Sequence, residues 1–296
     1  MNATTVTTAN ASNASNAAQS TDMTSFVPPP PFIFHQGTQP LLISMPHAGT
    51  FVPPELATRF TDEARQVPDT DWHLERLYAF ARDMGASILV ATHSRYVVDL
   101  NRPPDGASLY PGQSVTGLCP VDTFDDTPIY AHGDTPGDAE VSARRDAVWV
   151  PYHRQLRAEL DRIRAAHGVA VLWDAHSIRS VVPRFFEGKL PDLNLGTANG
   201  ASCEPTLAQE LLRIASAADG YSAVLNGRFK GGHITREYGQ PGQGIHAVQL
   251  EMTQCSYMQE CLPFDYLPDV AAKVQPCLQQ MLQATLVFAA QQVAEG

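Results

Sequence analysis

The chain has 296 residues, 44% of them hydrophobic and 17% charged, which suffices for a sizeable core and is unlike a disordered or fibrous composition. Its formal net charge of −11 argues against nucleic acid or an anionic membrane as the main partner, although a few local arginines would still hold a small anionic substrate. No apolar run is long enough for a transmembrane helix, and the N-terminus lacks the basic start and apolar centre of a secretory signal.

Residues 1–25, MNATTVTTANASNASNAAQSTDMTS, carry few large apolar groups and are expected to form a disordered tail, leaving residues 26–296 as a single domain. Pro28–Pro31 make a stiff, extended entry. Strands are then expected at Leu41–Met45, Ser87–Ala91, Tyr96–Leu100, Val169–Trp173, Ser222–Leu225 and Ala247–Met252. Most of these runs are nearly continuous in apolar residues, as in strands buried on both faces. Helical periodicity lies between them, at Asp71–Met84, Arg145–His167, Glu204–Ala217 and Asp269–Ala294, the last with a bend or break near Pro276. Alternating strands and helices imply an α/β three-layer domain with a mostly parallel or mixed central sheet. Sites in such sheets form at the carboxyl ends of strands. The five cysteines are scattered, without a CxxC pair, and read as free thiols in a reducing cytoplasm.

Several polar residues fall at such strand ends. The first strand runs through Pro46 into His47, and the fourth runs into Asp174, Ala175 and His176. Two histidines so placed suggest a metal pair, with Asp174 orienting one of them. A catalytic zinc usually takes a third protein ligand and keeps a position for water. In PDTDWHLERLY the candidates are Asp71 and, as runner-up, Asp69; both also suit capping of the helix that follows. In SRYVVDLNR, Arg95, Asn101 and Arg102 gather around a short apolar run, where Asp99 can pair with either arginine. Glu251 stands inside the apolar run HAVQLEM, where a carboxylate needs a partner or a role, or else an exposed strand edge. RFKGGHITREYG offers His233 and Arg236 as substrate contacts or as parts of a surface loop. The chain contains no GxSxG, HExxH, Walker or GxGxxG motif.

Taken in series, PHAG, DTDWHLERLY, SRYVVDLNR, DAHSI, LPDLNLGTANG, GGHITREYG and HAVQLEM resemble the N-formylglutamate amidohydrolase family over most of the chain from about residue 30. The resemblance implies a zinc enzyme, with one Zn2+ per chain, that releases formate and L-glutamate at the end of a histidine-degradation route. The family is similar to zinc carboxypeptidases and aspartoacylases, in which a His-x-x-Glu pair and a later histidine hold the metal. His47 and His176 match those histidines, but position 50 is Thr50, which leaves Asp71 to complete the set. The likeness further implies Glu251 as general base, Arg95 as oxyanion stabiliser, and Asn101 with Arg102 on the α-carboxylate. Arg179 or Arg236 is left for the side-chain carboxylate. The expected partner is thus a small N-acyl acidic amino acid, and nothing in the sequence specifies an oligomer. The alternatives are a zinc deacylase or carboxypeptidase for another acyl group, or a non-catalytic binding protein for acidic amino acids; both histidines and Glu251 weigh against the last.

Overall fold

The computed structural model describes Met1 and residues 27–107 and 116–295. The expected tail, residues 1–25, lies outside the described residues save for the first. In chain order the strands are β1 (Phe32–His35), β2 (Leu41–Met45), β3 (Ser87–Ala91), β4 (Ala170–Ile178), β5 (Leu193–Gly196), β6 (Ala223–Leu225) and β7 (Ile245–Thr253). The helices are α1 (Pro54–Ala57), α2 (Leu74–Leu77), α3 (Asp138–Arg144), α4 (Val150–His167), α5 (Pro205–Ala217), α6 (His233–Tyr238) and α7 (Pro268–Glu295).

Among the described residues the strands form one mixed sheet in the order β1-β3-β2-β4-β7-β5-β6. The central run β3-β2-β4-β7 is parallel, β1 is antiparallel to β3, and β5 is antiparallel to β7. Every residue of β2, β4 and β7 is buried, which is why the starts of these strands are largely apolar in sequence. On one face Ile43, Trp173 and Leu250 pack with Leu211 of α5 and with Leu278 and Met281 of α7. On the other, Leu42, Leu172 and Ala247 pack with Tyr152, Leu156 and Leu160 of α4. The expected helix–sheet–helix layering is therefore present.

Two expectations are corrected and two are narrowed. Tyr96–Leu100 is not a strand but a turn segment, in which the Val97 N–H donates to Ser94 and the Asp99 N–H donates to Leu118. Its apolar residues anchor it in two separate clusters, Tyr96 and Val97 in one, Val98 and Leu100 in the other. The Asp71–Met84 helix shrinks to α2 and a following 3-10 turn, because His73 takes a left-handed backbone with φ 62° just before Leu74. Neither Asp69 nor Asp71 caps it. Of the bend or break expected near Pro276, the break is absent, since α7 runs on through it. Of the two readings of His233 and Arg236, the surface loop is the one the fold overturns, since both lie in the short helix α6.

The side-chain alternation that fills the core also makes the cleft. On the α4-facing side of β4, Ala170 and Leu172 give way to Asp174 and His176; on β7, Ile245 and Ala247 give way to Gln249 and Glu251. The same face is hydrophobic at the strands' start and polar at their carboxyl ends.

Candidate active site

His176 on β4 and Glu251 on β7 are direct neighbours in register. His47 follows the adjacent strand β2 and brings its ring to 4.8 Å from that of His176, centroid to centroid. The backbone N–H of Asp71 donates to the His47 carbonyl at 3.0 Å, which ties the PDTD segment to this corner. Asp71 Oδ2 then lies 3.0 Å from His176 Nδ1 and 3.7 Å from His47 Nδ1. The three ligand-type atoms fall within 4.8 Å of one another and all three residues are buried. This trio could hold a metal ion.

The far nitrogens of both rings are held by carboxylates. His47 Nε2 lies 2.7 Å from Asp99 Oδ1, and His176 Nε2 lies 3.2 Å from Asp174 Oδ2. If a cation sat between Asp71 and the two rings, these carboxylates could accept the Nε2–H of each imidazole and leave Nδ1 to the ion. Burial and the nearby Arg95 cation lower the pKa of His47 against the pull of Asp99. Burial also opposes charge on His176, but Asp174 and Asp71 outweigh it and hold that imidazole well above its ordinary value. Asp99 shows the same competition: burial would raise its pKa, yet His47 and Arg95 hold it well below the usual carboxylate range.

The sequence placed Asp69 beside Asp71 as a candidate ligand, and the fold separates the two. Asp69 Oδ2 accepts the Tyr96 hydroxyl at 2.5 Å and the Phe124 N–H at 2.8 Å, facing away from the histidines. Arg95 bonds Asp99 at 2.7 Å and lies over the Phe124 ring, with an Nε–H that has no acceptor among the described residues. Asn101 lines the cleft, but its amide is engaged: Oδ1 accepts the Ile234 N–H at 2.8 Å, and Nδ2 lies 2.9 Å from His176 Nε2 and 3.5 Å from Asp174. Gly232 permits this, since a Cβ there would lie 2.4 Å from the Asn101 amide. Arg102 lines the cleft and gives three hydrogen bonds to uncharged oxygens, those of Thr116 and the Asn101 carbonyl.

Glu251 opens on a cleft of about 620 Å³, part of it continuous with solvent. Burial pushes its carboxyl up to about 8, with His176 and Arg95 opposing the rise and Asp71 and Asp174 adding to it. Gln249, two residues earlier on the same face, accepts the Gly232 N–H at 2.7 Å and so aims its Nε2–H at Glu251 Oε2, 3.3 Å away. Three of the expected substrate contacts lie outside the lining of this cleft. Arg179 is paired with Asp125 at 2.9 Å, Arg236 donates from Nε to the Gly231 carbonyl, and His233 packs against Trp149 and His153. Residues that the sequence did not single out take their place: Arg228, Gln249, Phe124, Phe185 and Phe229. Gln249 carried the same signal as Glu251, a polar residue inside the apolar run of β7.

A profile of the N-formylglutamate amidohydrolase family matches residues 39–258. The chain belongs to that family. An N-formylglutamate deformylase of Pseudomonas putida is 54% identical over 258 residues, covering 87% of this chain and 96% of the relative. A Pseudomonas aeruginosa enzyme of the same name is 52% identical and covers 88% of this chain and 98% of the relative. The crystal structure of an N-formylglutamate amidohydrolase from Ralstonia eutropha superposes with a TM-score of 0.76 at 25% identity, over 88% of this chain and 98% of that one. As a member of the N-formylglutamate amidohydrolase family, the protein is a hydrolase acting on a linear amide. No helix among its described residues is long and apolar enough to cross a membrane.

Proposed function

We propose that this chain hydrolyses N-formyl-L-glutamate to formate and L-glutamate, using one zinc ion held by His47, Asp71 and His176. The observation that carries this reading is the convergence of two Nδ1 atoms and one carboxylate oxygen beside Glu251. The donor set fits zinc: ligand atoms bound tetrahedrally at zinc–ligand lengths sit roughly 3.3 Å apart, and the two separations from Asp71 are 3.0 and 3.7 Å. Bound there, zinc supplies Lewis-acid polarisation of the water and of the amide carbonyl.

The chain's own groups do the rest. Glu251 takes a proton from the attacking water as the oxygen bonds to the formyl carbon. Arg95 directs its Nε–H at the carbonyl oxygen as that atom gains charge, in a buried setting where such a donor is most effective. Glu251 passes the proton to the departing nitrogen, the C–N bond breaks, and the amine of glutamate leaves with formate. Arg102, supported by Thr116 and anchored next to Asn101, holds the α-carboxylate. Asn101 serves by keeping His176 and Asp174 in place. We assign residues 26–296 to a single catalytic unit, because the residues named gather around the carboxyl ends of one sheet. Five free cysteines suit a reducing cytoplasm.

The test is a substrate panel run on zinc-loaded protein. N-formylglutamate should be turned over far faster than N-acetyl- or N-succinylglutamate, and blocking the α-carboxylate as an amide should cost about 1.5–3 kcal/mol in kcat/KM. Equal turnover of the larger acyl groups would overturn the deformylase reading in favour of a broader deacylase.

A further inference from the structure

The substrate proposed above has two carboxylates, and the arginine expected to read the second is not where the sequence placed it. Among the described residues the arginines lining the cleft are Arg95, Arg102 and Arg228. Arg95 is committed to Asp99 at 2.7 Å, and Arg102 serves one carboxylate.

Arg228 is held in place by construction. It follows β6 by way of Asn226, which takes a left-handed backbone with φ 54° and accepts the Thr197 N–H through its side chain at 2.9 Å. The segment then runs close over β5, since a Cβ on Gly196 would lie 2.6 Å from the Gly231 nitrogen. Arg228 Nε donates to the Phe185 carbonyl at 2.5 Å, and its guanidinium lies 5.8 and 5.4 Å from the ring centroids of Phe185 and Phe229. Both rings line the same cleft, so an anion that reaches this fork meets a cation in a partly apolar wall, where charge attraction is strengthened. In the sheet, β3 precedes Arg102 and β6 precedes Arg228, and the two strands lie on opposite sides of the β4–β7 pair that carries His176 and Glu251.

We infer that Arg228 is the specificity-determining residue for the substrate's side-chain carboxylate, clamping it while Arg102 holds the α-carboxylate. A planar guanidinium with its Nε–H held by a carbonyl and two aromatic rings beside it suits a planar carboxylate. The inference rests on the proposed deformylase activity, so the experiment compares N-formyl-L-glutamate with N-formyl-L-glutamine, whose side chain has the same shape without the charge. In Arg228→Met the kcat/KM ratio of glutamate to glutamine substrate should fall about 10- to 100-fold, the loss of one charge-assisted contact. Most of that loss should appear in KM, and Arg228→Lys should keep part of the preference. Wild-type activity, measured first, separates the two readings. A wild type inactive on N-formylglutamate overturns the function and this assignment together. An active wild type whose preference survives in Arg228→Met, or a variant that loses both substrates equally, overturns the assignment alone.

Discussion

The two walls of the cleft are built differently. His176 and Glu251 stand side by side on paired strands buried over their whole length, and His47 follows a third such strand. The facing wall, with Phe124, Phe185, Arg228 and Phe229, comes from segments between the strands and helices. It is held by cross-links rather than by a ladder: Asp69 grips the Phe124 N–H, and Arg179 pairs with Asp125 next to it. Bond-making chemistry needs atoms held to fractions of an ångström, which strands provide, whereas recognition of a small anion can be supplied by loops tied down at a few points.

Mutations on the strand wall should therefore damage chemistry, and mutations on the loop wall should damage selection. The largest expected effect is on the metal. His47→Ala and His176→Ala should each lose bound zinc and fall to background activity while remaining folded; stoichiometric zinc in either variant would remove that histidine from the ligand set. Asp71→Ala should follow them. Asp69→Ala should keep its zinc and suffer in KM, because it holds the Phe124 segment, and the opposite result would exchange the two aspartates' roles.

Next in size is Glu251→Gln, which preserves shape but cannot accept a proton. Its kcat should fall by roughly 10²–10⁴ with zinc and substrate affinity retained. Activity within a few-fold of wild type at full zinc occupancy would take the general base away from β7 and break the contrast between the walls.

The smallest effect sharpens the comparison at its base. His153 on α4 lies under the segment that carries Asn101, with Nε2 2.8 Å from the Leu100 carbonyl and Nδ1 2.9 Å from the Tyr238 hydroxyl. Burial lowers its pKa from 6.5 to about 3, with the Leu100 carbonyl opposing and His233 adding to the fall. A histidine so depressed stays neutral in the folded chain while the unfolded chain takes up a proton. Its contribution is complete above pH 6.5 and is lost as pH falls toward about 3. The loss approaches about 1.4 kcal/mol per pH unit within that window. Urea unfolding of wild type and His153→Gln at several mildly acidic pH values measures this directly: the variant should show the shallower dependence, and parallel curves would refute it.

The sequence by itself determined the scaffold of the strand wall. Strands buried on both faces are written as nearly continuous apolar runs, so β2, β3, β4 and β7 were legible; Asp174 and His176 stood out just past one such run and Glu251 inside another, whereas Gln249 in that same run did not. Short edge elements left no such trace: β1 has only four residues with alternate burial, and β5 lies hidden in a stretch rich in turn residues. Tertiary structure alone decided which polar groups meet. Asp69 and Asp71 are indistinguishable in PDTD, and only the backbone path turns one toward Tyr96 and the other toward the histidines. Asp99 reaches His47 across 52 residues of chain, and Asn101 reaches His176 across 75. Arg228 lines the cleft where the distant Phe185 carbonyl fixes it, whereas Arg179 is drawn to Asp125 and Arg236, in α6, donates to the nearby Gly231 carbonyl. Periodicity reports which face of an element is buried, but not which distant element arrives to cover it.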